Sequence, residues 1–515
     1  MGVITNVQPQ MEALGPSTRP NWKTAQAILF VGAIAVCSSL ALLEFPDFLM
    51  WEALRVLAIG LLLFFLFVWS SRLPMARPTA AFVIWGLVLA SEGIFFRSVG
   101  DYANLLVLQG KFPGAAYGEV LSNICCLVLV LLFGISTRQY FSRLFSGDYK
   151  WLTLFAMTSL ASCAYSPRPS YALAWAIKLS LVVLLIGLCS TQIHEFRDTV
   201  SFLRYSLWGY IPIVLVPVIL GFFQPSAFDE EGRMSPIVSP NALGPDAGVV
   251  FLLALTLYSR VKHEGLRKAA ILIGSAAFVV MILAGSKTGI LGAVIGGAFF
   301  FGLRKRVGSA VGYIAIAIVL ICVLAVSTPL GSYFSHYEDS GQAGSFTGRT
   351  LLWSAVLPSI RQKPILGHGY LASTFVGIQV NAVQWDAPQL HNGFLEALYN
   401  EGLLGLIPVL MIHVVIIRNL IRVLRRASSD GGIYRIATGC FALYVHLLIN
   451  GFFNASFGGK PRPSFILLMG LVLVSNKLFE LVSPSSAYNL TSDLKTKPVG
   501  TGGDLLKAPA MNTVG

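Results

Sequence analysis

Long apolar runs separated by short polar segments recur along almost the whole chain. Each run covers about 17 to 25 residues, enough for a helix to cross a hydrocarbon layer of about 30 Å. Helices are the expected form because lipid cannot satisfy open backbone groups. The pattern predicts an all-α polytopic membrane protein. Its spans, about fourteen in number, are predicted near residues 25–43, 51–70, 79–96, 117–136, 150–164, 171–190, 202–222, 245–259, 269–284, 288–303, 309–328, 394–417, 433–456 and 463–481.

The composition agrees with this class. Hydrophobic residues make up 55% of the 515 positions and charged residues only 12%, whereas a soluble domain has about 25% charged residues. The 7 cysteines all fall inside predicted spans, so neither a disulfide framework nor a zinc site is expected. The formal net charge is +13. Most of the cations lie in short loops, where they favour contact with anionic lipid rather than nucleic acid.

The alternation of basic and weakly charged loops predicts the orientation. The positive-inside rule places the basic loops and both chain ends in the cytoplasm. The predicted units are a cytoplasmic segment 1–24, eleven spans in 25–328 with an outer loop at 223–244, a large extracytoplasmic loop at 329–393, three spans in 394–482, and a disordered cytoplasmic tail at 483–515. The two outer loops would therefore share one compartment.

The large outer loop contains a recognisable helical pattern. Connections longer than about 15 residues are uncommon and are usually functional. Within this loop, Leu352, Val356 and Ile360 recur at every fourth position. They predict a short amphipathic helix at 350–362 that lies on the membrane surface, with Arg349 at its first turn.

His391 is the histidine that the predicted topology favours as a chemical group. It lies on the outer side immediately before a predicted span, and Asn392 after it is a favourable N-cap. The positive end of that helix disfavours imidazolium, so His391 is predicted to be neutral and able to act as a general base. The alternative is an exposed loop histidine without a catalytic role.

Arginines in the outer loops are candidate phosphate ligands. Arg349 precedes the amphipathic helix, and Arg233 lies in loop 223–244. A guanidinium has a planar set of donors that matches phosphate oxygens, and it stays charged at any working pH. Near one histidine, the pair would bind a diphosphate and stabilise its charge as it leaves. Lys287, in the turn AGSKTG, is a further candidate. The alternative for each is a cation that reaches toward lipid headgroups.

Two other features carry weaker signals. The acidic residues of the outer loops, including the run 229–231, lack the spacing of a metal site, so no metal is predicted. Lys178 lies in the middle of a span, where an ionisable group is a candidate functional residue. Glu92 is a candidate partner for it, and a purely structural buried pair is an equal alternative.

With these residues identified, the chain resembles the bacterial O-antigen ligase and polymerase superfamily, which includes exopolysaccharide repeat-unit polymerases. The resemblance covers roughly residues 233–406. It rests on Arg233 followed by SPNALG, on AGSKTGILG, and on the block GRTLLW…KPILGHGY…HNGFLEALYNEGLLG. The chain departs from the family in two respects: Lys287 stands where many relatives have arginine, and the predicted spans outnumber those common in the family.

The resemblance implies a metal-independent, inverting glycosyltransferase of the GT-C type in the bacterial inner membrane, with its active face in the periplasm. No cofactor is expected. The implied substrate is a polyprenyl-diphosphate-linked oligosaccharide, and a flippase and a chain-length regulator are candidate partner proteins. The implied catalytic residues are His391, Arg349 and Arg233. The candidate substrate-binding residues are Lys287, Asn392 and Asn241.

The acceptor decides between three related activities. A polymerase would pass the glycan to another lipid-linked repeat, a ligase would pass it to lipid A-core, and an oligosaccharyltransferase would pass it to protein. We favour the polymerase and keep the ligase as the alternative. A membrane transporter or flippase is the alternative from a different class, although carriers usually place their polar groups near the middle of the membrane.

Overall fold

The computed structural model describes residues 80–95, 142–223, 234, 240–258, 264–304, 307–327, 349–375, 378–380, 385–387, 389–429, 431–454 and 457–483. The helices are α1 (Ala80–Phe95), α2 (Lys150–Ser162), α3 (Pro169–Gln192), α4 (Phe196–Phe223), α5 (Pro240–Tyr258), α6 (Glu264–Leu283), α7 (Lys287–Leu303), α8 (Val307–Ser327), α9 (Arg349–Gln362), α10 (Ala372–Phe375), α11 (Gly393–Arg426), α12 (Gly432–Phe453) and α13 (Pro463–Leu481). A short 3₁₀ turn, Cys163–Tyr165, follows α2.

Five of the described helices are long and apolar enough to cross a membrane: α3, Asn241–Tyr258 of α5, α11, α12 and α13. Large apolar side chains on α6, α8 and α11 are exposed, including Leu272, Val311 and Ile407. A soluble protein rarely exposes apolar surface on this scale, whereas a membrane protein presents it to lipid. The chain is therefore a helical membrane protein, as predicted.

Helices occupy the positions of eleven of the predicted spans. The predicted spans 25–43, 51–70 and 117–136 lie outside the described residues, as do segment 1–24 and most of the tail 483–515. The total of about fourteen spans and the GT-C assignment thus stay predictions. The described residues also include a strand pair that the all-α prediction missed. It joins β1 (Ile378–Val380) and β2 (Trp385–Ala387), which are antiparallel.

Small residues allow the central helices to approach closely. Helix α7 packs against α5 and α12, and a Cβ added at Gly296 would lie 2.6 Å from the carbonyl oxygen of Ala442 on α12. At Gly292, an added Cβ would lie 2.8 Å from the ring Nδ1 of His446. Close backbone approach of this kind is typical of helix pairs in membranes, where packing rather than water drives association.

Helix α11 is broken at Gly402, whose φ of 64° and ψ of −154° are open almost only to glycine. The segment between α9 and α10 fills the break. His368 N donates to the carbonyl of Tyr399 at 2.9 Å and Gly369 N donates to that of Asn400 at 2.8 Å, while Leu403 N donates to the carbonyl of Pro364 at 2.9 Å. The backbone groups that the break frees are thus satisfied by protein.

A buried carboxyl group fixes α2 at the same break. Glu401 accepts hydrogen bonds from Ser159 Oγ at 2.9 Å and from Thr158 Oγ1 at 3.0 Å. Burying a carboxyl group without such partners would be costly. The pair of hydroxyls therefore ties α2 to α11 beside the first turns of α11, where the candidate site lies.

The amphipathic helix predicted at 350–362 is present as α9. Its apolar face packs on protein: Leu352, Val356 and Ile360 are buried in a cluster with Leu390 and Tyr399. The apolar face was predicted to contact the membrane surface. That prediction is wrong, because Leu390 and the side chains of α11 cover the face. Helix α9 is consequently fixed against the start of α11.

Candidate active site

His391 lies in the turn that leads into α11. Its backbone has a positive φ of 50°, which is uncommon outside glycine and often marks a functional turn. Asn392 caps the helix as predicted, because its Oδ1 accepts from Phe394 N at 3.0 Å and from Leu395 N at 3.1 Å. The cap and the turn together set the direction of the imidazole. A role for Asn392 in substrate binding stays a prediction.

The imidazole of His391 is neutral at physiological pH. Burial, and after it the positive charges of Arg349 and Arg462, together lower the pKa of His391 to about 4. The state agrees with the sequence-based prediction, but its main cause is loss of water and the guanidinium charges rather than the helix end alone. His391 can therefore accept a hydrogen bond or a proton at pH 7.

Arg349 connects the start of α9 to two other segments. Its Nη2 lies 3.5 Å from Asn454 Oδ1, and Asn454 Nδ2 donates to Thr288 Oγ1 at 3.0 Å. Thr288 follows Ser286, the N-cap of α7. The turn AGSKTG, with the exposed Lys287, therefore lies beside Arg349.

The segment SPNALG reaches the same place. At Gly244, in the first turns of α5, an added Cβ would clash with Ser286, and Met234 N donates to the carbonyl of Leu283 at 2.8 Å. Asn241 is exposed at the start of α5. Arg233 lies outside the described residues, so its part in the site stays a prediction. The three motif segments identified in the sequence thus meet at one end of the helix bundle.

Arg462 is a site residue that the sequence analysis missed. It precedes α13, in a loop whose Gly458 packs so closely on Gly393 and Ala397 that an added Cβ would clash. The loop therefore lies directly on the first turn of α11, and the charge of Arg462 acts on His391. The available signal was the sequence Lys-Pro-Arg-Pro at 460–463, which places two cations, one of them between two prolines, immediately before a span.

Glu396 brings a carboxyl group next to these cations. It is buried, and Ser373 Oγ donates to its Oε1 at 3.2 Å. Its Oε2 has no hydrogen-bond partner within the part of the chain that the structure describes. The charges of Arg462 and Lys460 act on this carboxyl group. The carboxyl group of Glu396 therefore lies within the field of Arg462 at the wall of the site.

Trp353 fixes the start of α9, which carries Arg349, against the turn that carries His391. It lies one helical turn after Arg349, and its Nε1 donates to the carbonyl of Leu390 at 2.9 Å. Replacing Trp353 with phenylalanine keeps a ring against Phe452 but leaves that carbonyl without its donor. We expect the substitution to cost about 1–2 kcal/mol of stability and to lower turnover about tenfold through misplacement of His391.

A matched control for Trp353→Phe is Trp85→Phe, because Trp85 Nε1 makes an equal hydrogen bond to Ser206 Oγ, 2.9 Å long and far along the chain from the site. Both variants should unfold at a lower temperature in detergent. Only Trp353→Phe should lower the turnover of the folded protein. Equal turnover in the two variants would show that Trp353 serves stability alone.

Lys178 was flagged in the sequence, and the structure shows an aromatic partner. It is 2% exposed, and its Nζ lies 4.4 Å from the ring centre of Trp175. Glu92 is part of α1, and the contact predicted for it with Lys178 stays a prediction. The lysine is separated along the chain from the residues around His391.

The fold and the site define a helical membrane protein that holds a neutral histidine among guanidiniums at one end of its helix bundle. Comparison with known proteins agrees with the resemblance noted in the sequence. Residues 270–410 match the family described as O-antigen ligase. The comparisons therefore support membership of the O-antigen ligase-like superfamily.

Curated relatives extend this result. The chain is 25% identical over 294 residues to the exopolysaccharide production protein ExoQ of Rhizobium meliloti, an alignment that covers 52% of this chain and 64% of that protein. It is 24% identical over 285 residues to a Rickettsia felis protein named as a candidate polysaccharide ligase, covering 52% of this chain and 68% of that protein. The relatives support a membrane protein of polysaccharide biosynthesis.

Proposed function

We propose that the chain is a membrane glycosyltransferase that transfers a glycan from a polyprenyl diphosphate to an acceptor hydroxyl on the outer face of the cytoplasmic membrane. The observation that carries the proposal is the neutral imidazole of His391, which lies within the fields of Arg349 and Arg462. A base next to cations suits a reaction that needs a proton acceptor and releases an anion. The family match and the relatives support the same chemistry.

In the proposed reaction, His391 takes the proton of the acceptor hydroxyl as its oxygen bonds to the anomeric carbon. The bond from that carbon to the diphosphate oxygen breaks, and its electron pair leaves with the diphosphate. Arg349 and Arg462, together with Arg233, bind the diphosphate and stabilise its charge. A single displacement inverts the anomeric carbon. Lys287 lies in the turn beside Arg349, which suits contact with the same anion. No step calls for a metal.

The proposed activity is tested with purified protein and a lipid-linked repeat unit as the sole glycan. A ladder of products identifies a polymerase, which is the result we expect. Product that forms only after addition of lipid A-core identifies a ligase, the alternative within the class. No glycan transfer to either acceptor would overturn the proposal.

A transporter or flippase is the alternative from another class, and the break in α11 is the feature that favours it. Carriers often bind their substrates at broken helices. In α11, however, the segment 363–369 satisfies the freed backbone groups, so they are not available to an ion or substrate. Cells that carry His391→Asn should accumulate lipid-linked precursor on the outer face. Precursor retained on the inner face would instead identify a flippase.

A further inference from the structure

Helix α12 carries a row of buried polar side chains that ends at the candidate active site. His446, Asn450 and Asn454 recur at every fourth position, so they lie on one side of the helix. All three are buried. His446 Nε2 contacts the carbonyl of Pro245 at 2.8 Å, and Asn450 Nδ2 donates to the carbonyl of His446 at 2.8 Å. The row has no assigned part in the transfer chemistry described above.

Asn454, the last residue of this row, contacts two other segments. Its Nδ2 donates to Thr288 Oγ1 at 3.0 Å, and its Oδ1 lies 3.5 Å from Arg349 Nη2. We call these two contacts the Asn454 bridge. Asn454 is only 7% exposed, and exclusion of water strengthens such polar contacts. If the amide were rotated by 180°, its NH₂ group would face a guanidinium nitrogen, and two donors would oppose each other. Both partners therefore set the orientation of the amide.

Thr288 connects the Asn454 bridge to the start of α7. Its Oγ1 lies 3.5 Å from Ser286 Oγ, and Ser286 caps α7 by accepting from Gly289 N at 3.4 Å. Helix α7 packs closely on α5 and α12 through its glycines, so its first turn is a firm support. The Asn454 bridge thus connects Arg349, on the outer-loop helix α9, to the central helices.

The end of α12 does not depend on the side chain of Asn454. Its backbone N–H donates to the carbonyl of Asn450 at 2.7 Å. Its φ of −136° and ψ of 159° are extended values that any residue adopts. A smaller side chain at this position would therefore keep the end of the helix and remove only the Asn454 bridge. The role of the amide can thus be tested separately from the fold.

We propose that Asn454 is a positioning residue, which directs the guanidinium of Arg349 toward the donor diphosphate beside His391. The inference rests on the proposed function. Arginine has a long side chain, and a phosphate contact is productive only when the guanidinium is held in one orientation. The Asn454 bridge engages one of its five N–H donors, so it can be made together with a phosphate contact. Because Asn454 is a neutral amide, it orients the guanidinium without cancelling the charge that the leaving diphosphate needs.

The first test measures binding of sugar-free polyprenyl diphosphate to the purified full-length protein, by titration with labelled lipid. Asn454→Ala and Arg349→Gln should each weaken binding about tenfold. The double variant Asn454→Ala/Arg349→Gln should bind within about twofold of Arg349→Gln alone, because the effects of two residues that act through one contact do not add.

Asn476→Ala is the matched control. Asn476 is a buried asparagine whose Oδ1 accepts a hydrogen bond from Asn419 Nδ2. It lies near the far end of α13, about 20 Å along the axis from Arg462. Asn476→Ala should lower the unfolding temperature in detergent, as Asn454→Ala does, but it should leave lipid binding unchanged.

Variants of Thr288 test the same bridge from its other end. Thr288→Val keeps the shape of the side chain but leaves the amide of Asn454 without this acceptor, so lipid binding should weaken about threefold. Thr288→Ser retains the hydroxyl and should recover most of that loss. These two variants keep the inference testable even if Asn454→Ala does not fold.

The pH profile of transfer separates positioning from a purely structural role. The pKa of His391 is lowered by burial and then by the charges of Arg349 and Arg462. In Asn454→Ala the guanidinium of Arg349 would turn away and oppose imidazolium less. The acid limb of kcat/KM should therefore move to higher pH, yet stay below about 6.5 because burial and Arg462 remain. Asn476→Ala should leave the limb in place.

Three results would each overturn the positioning role: unchanged lipid binding in Asn454→Ala, a double variant that binds about tenfold more weakly than Arg349→Gln, or an acid limb that Asn454→Ala does not move. If one of them is found while transfer is observed and is lost in His391→Asn, the transferase proposal holds and the role of Asn454 does not. If the parent protein neither binds the lipid diphosphate nor transfers glycan, the proposed function is overturned, and the role of Asn454 with it.

Discussion

Replacing His391 with asparagine is expected to lower the rate of glycan transfer by a factor of about 10² to 10⁴, the usual contribution of a general base. The variant removes the proton acceptor while the KM for the lipid-linked donor stays within about twofold, because Arg349 and Arg462 still bind the diphosphate. Asparagine is chosen because it tolerates the positive φ of 50° at this position better than most residues. The measurement is the initial rate of product formation with purified protein.

A control for this variant is His194→Asn, which changes an exposed histidine before α4 and should leave the rate unchanged. Both variants should elute and unfold like the parent protein in detergent. A second readout comes from His391→Gly, in which added imidazole should restore part of the rate. A rate for His391→Asn within threefold of the parent would show that His391 is not the base.

The helices follow from the sequence more readily than the site does. Apolar runs marked the positions of α3, α12 and α13 well, because a span must be apolar over its whole length. The break in α11 escaped this reasoning because residues 394–417 were predicted as one continuous span, although the polar pair Asn400 and Glu401 directly precedes Gly402. Its cause is a partner far along the chain, the segment that donates from His368 and Gly369. Local pattern carries no information about such a partner.

The same limit explains the errors at the site. The apolar residues at every fourth position of α9 predicted an apolar face. Whether that face contacts lipid or protein depends on where Leu390 and Tyr399 lie. Arg462 was one basic residue among many between spans, and only the packing of Gly458 on α11 brings its charge to His391. The proximity of Arg349 to His391 could be predicted, because both belong to the sequence motifs and the proposed reaction needs a base and a phosphate-binding cation at one site.

In the proposed reaction, donor binding would be coupled to the basicity of His391. The imidazole is buried near positive charge, so its pKa is lowered to about 4. A bound diphosphate would neutralise the charges of Arg349 and Arg462, so imidazolium would be disfavoured less and the pKa would rise. His391 would therefore become a stronger base when the donor is present, which links deprotonation of the acceptor to a loaded site.

The pH dependence of transfer should show this coupling. The acid limb of kcat/KM reports the free enzyme and is expected near pH 4, well below the value of about 6.5 for an unperturbed histidine. The limb of kcat reports the enzyme with donor bound and should lie at higher pH. Because protonation inactivates the base, activity falls as the pH drops through each value.

Arg462→Gln should move the acid limb of kcat/KM to higher pH, because one of the charges that oppose imidazolium is gone while burial and Arg349 still hold it below 6.5. It should also raise the KM for the donor about tenfold, as expected for loss of a charged phosphate contact. Arg462→Lys retains the charge, so the acid limb of its kcat/KM profile should lie at the same pH as that of the parent protein. Two outcomes would contradict the electrostatic role of Arg462: an acid limb that Arg462→Gln does not move, and an acid limb that Arg462→Lys moves as far as Arg462→Gln does. In either case the pH of the limb would depend on something other than the charge beside His391.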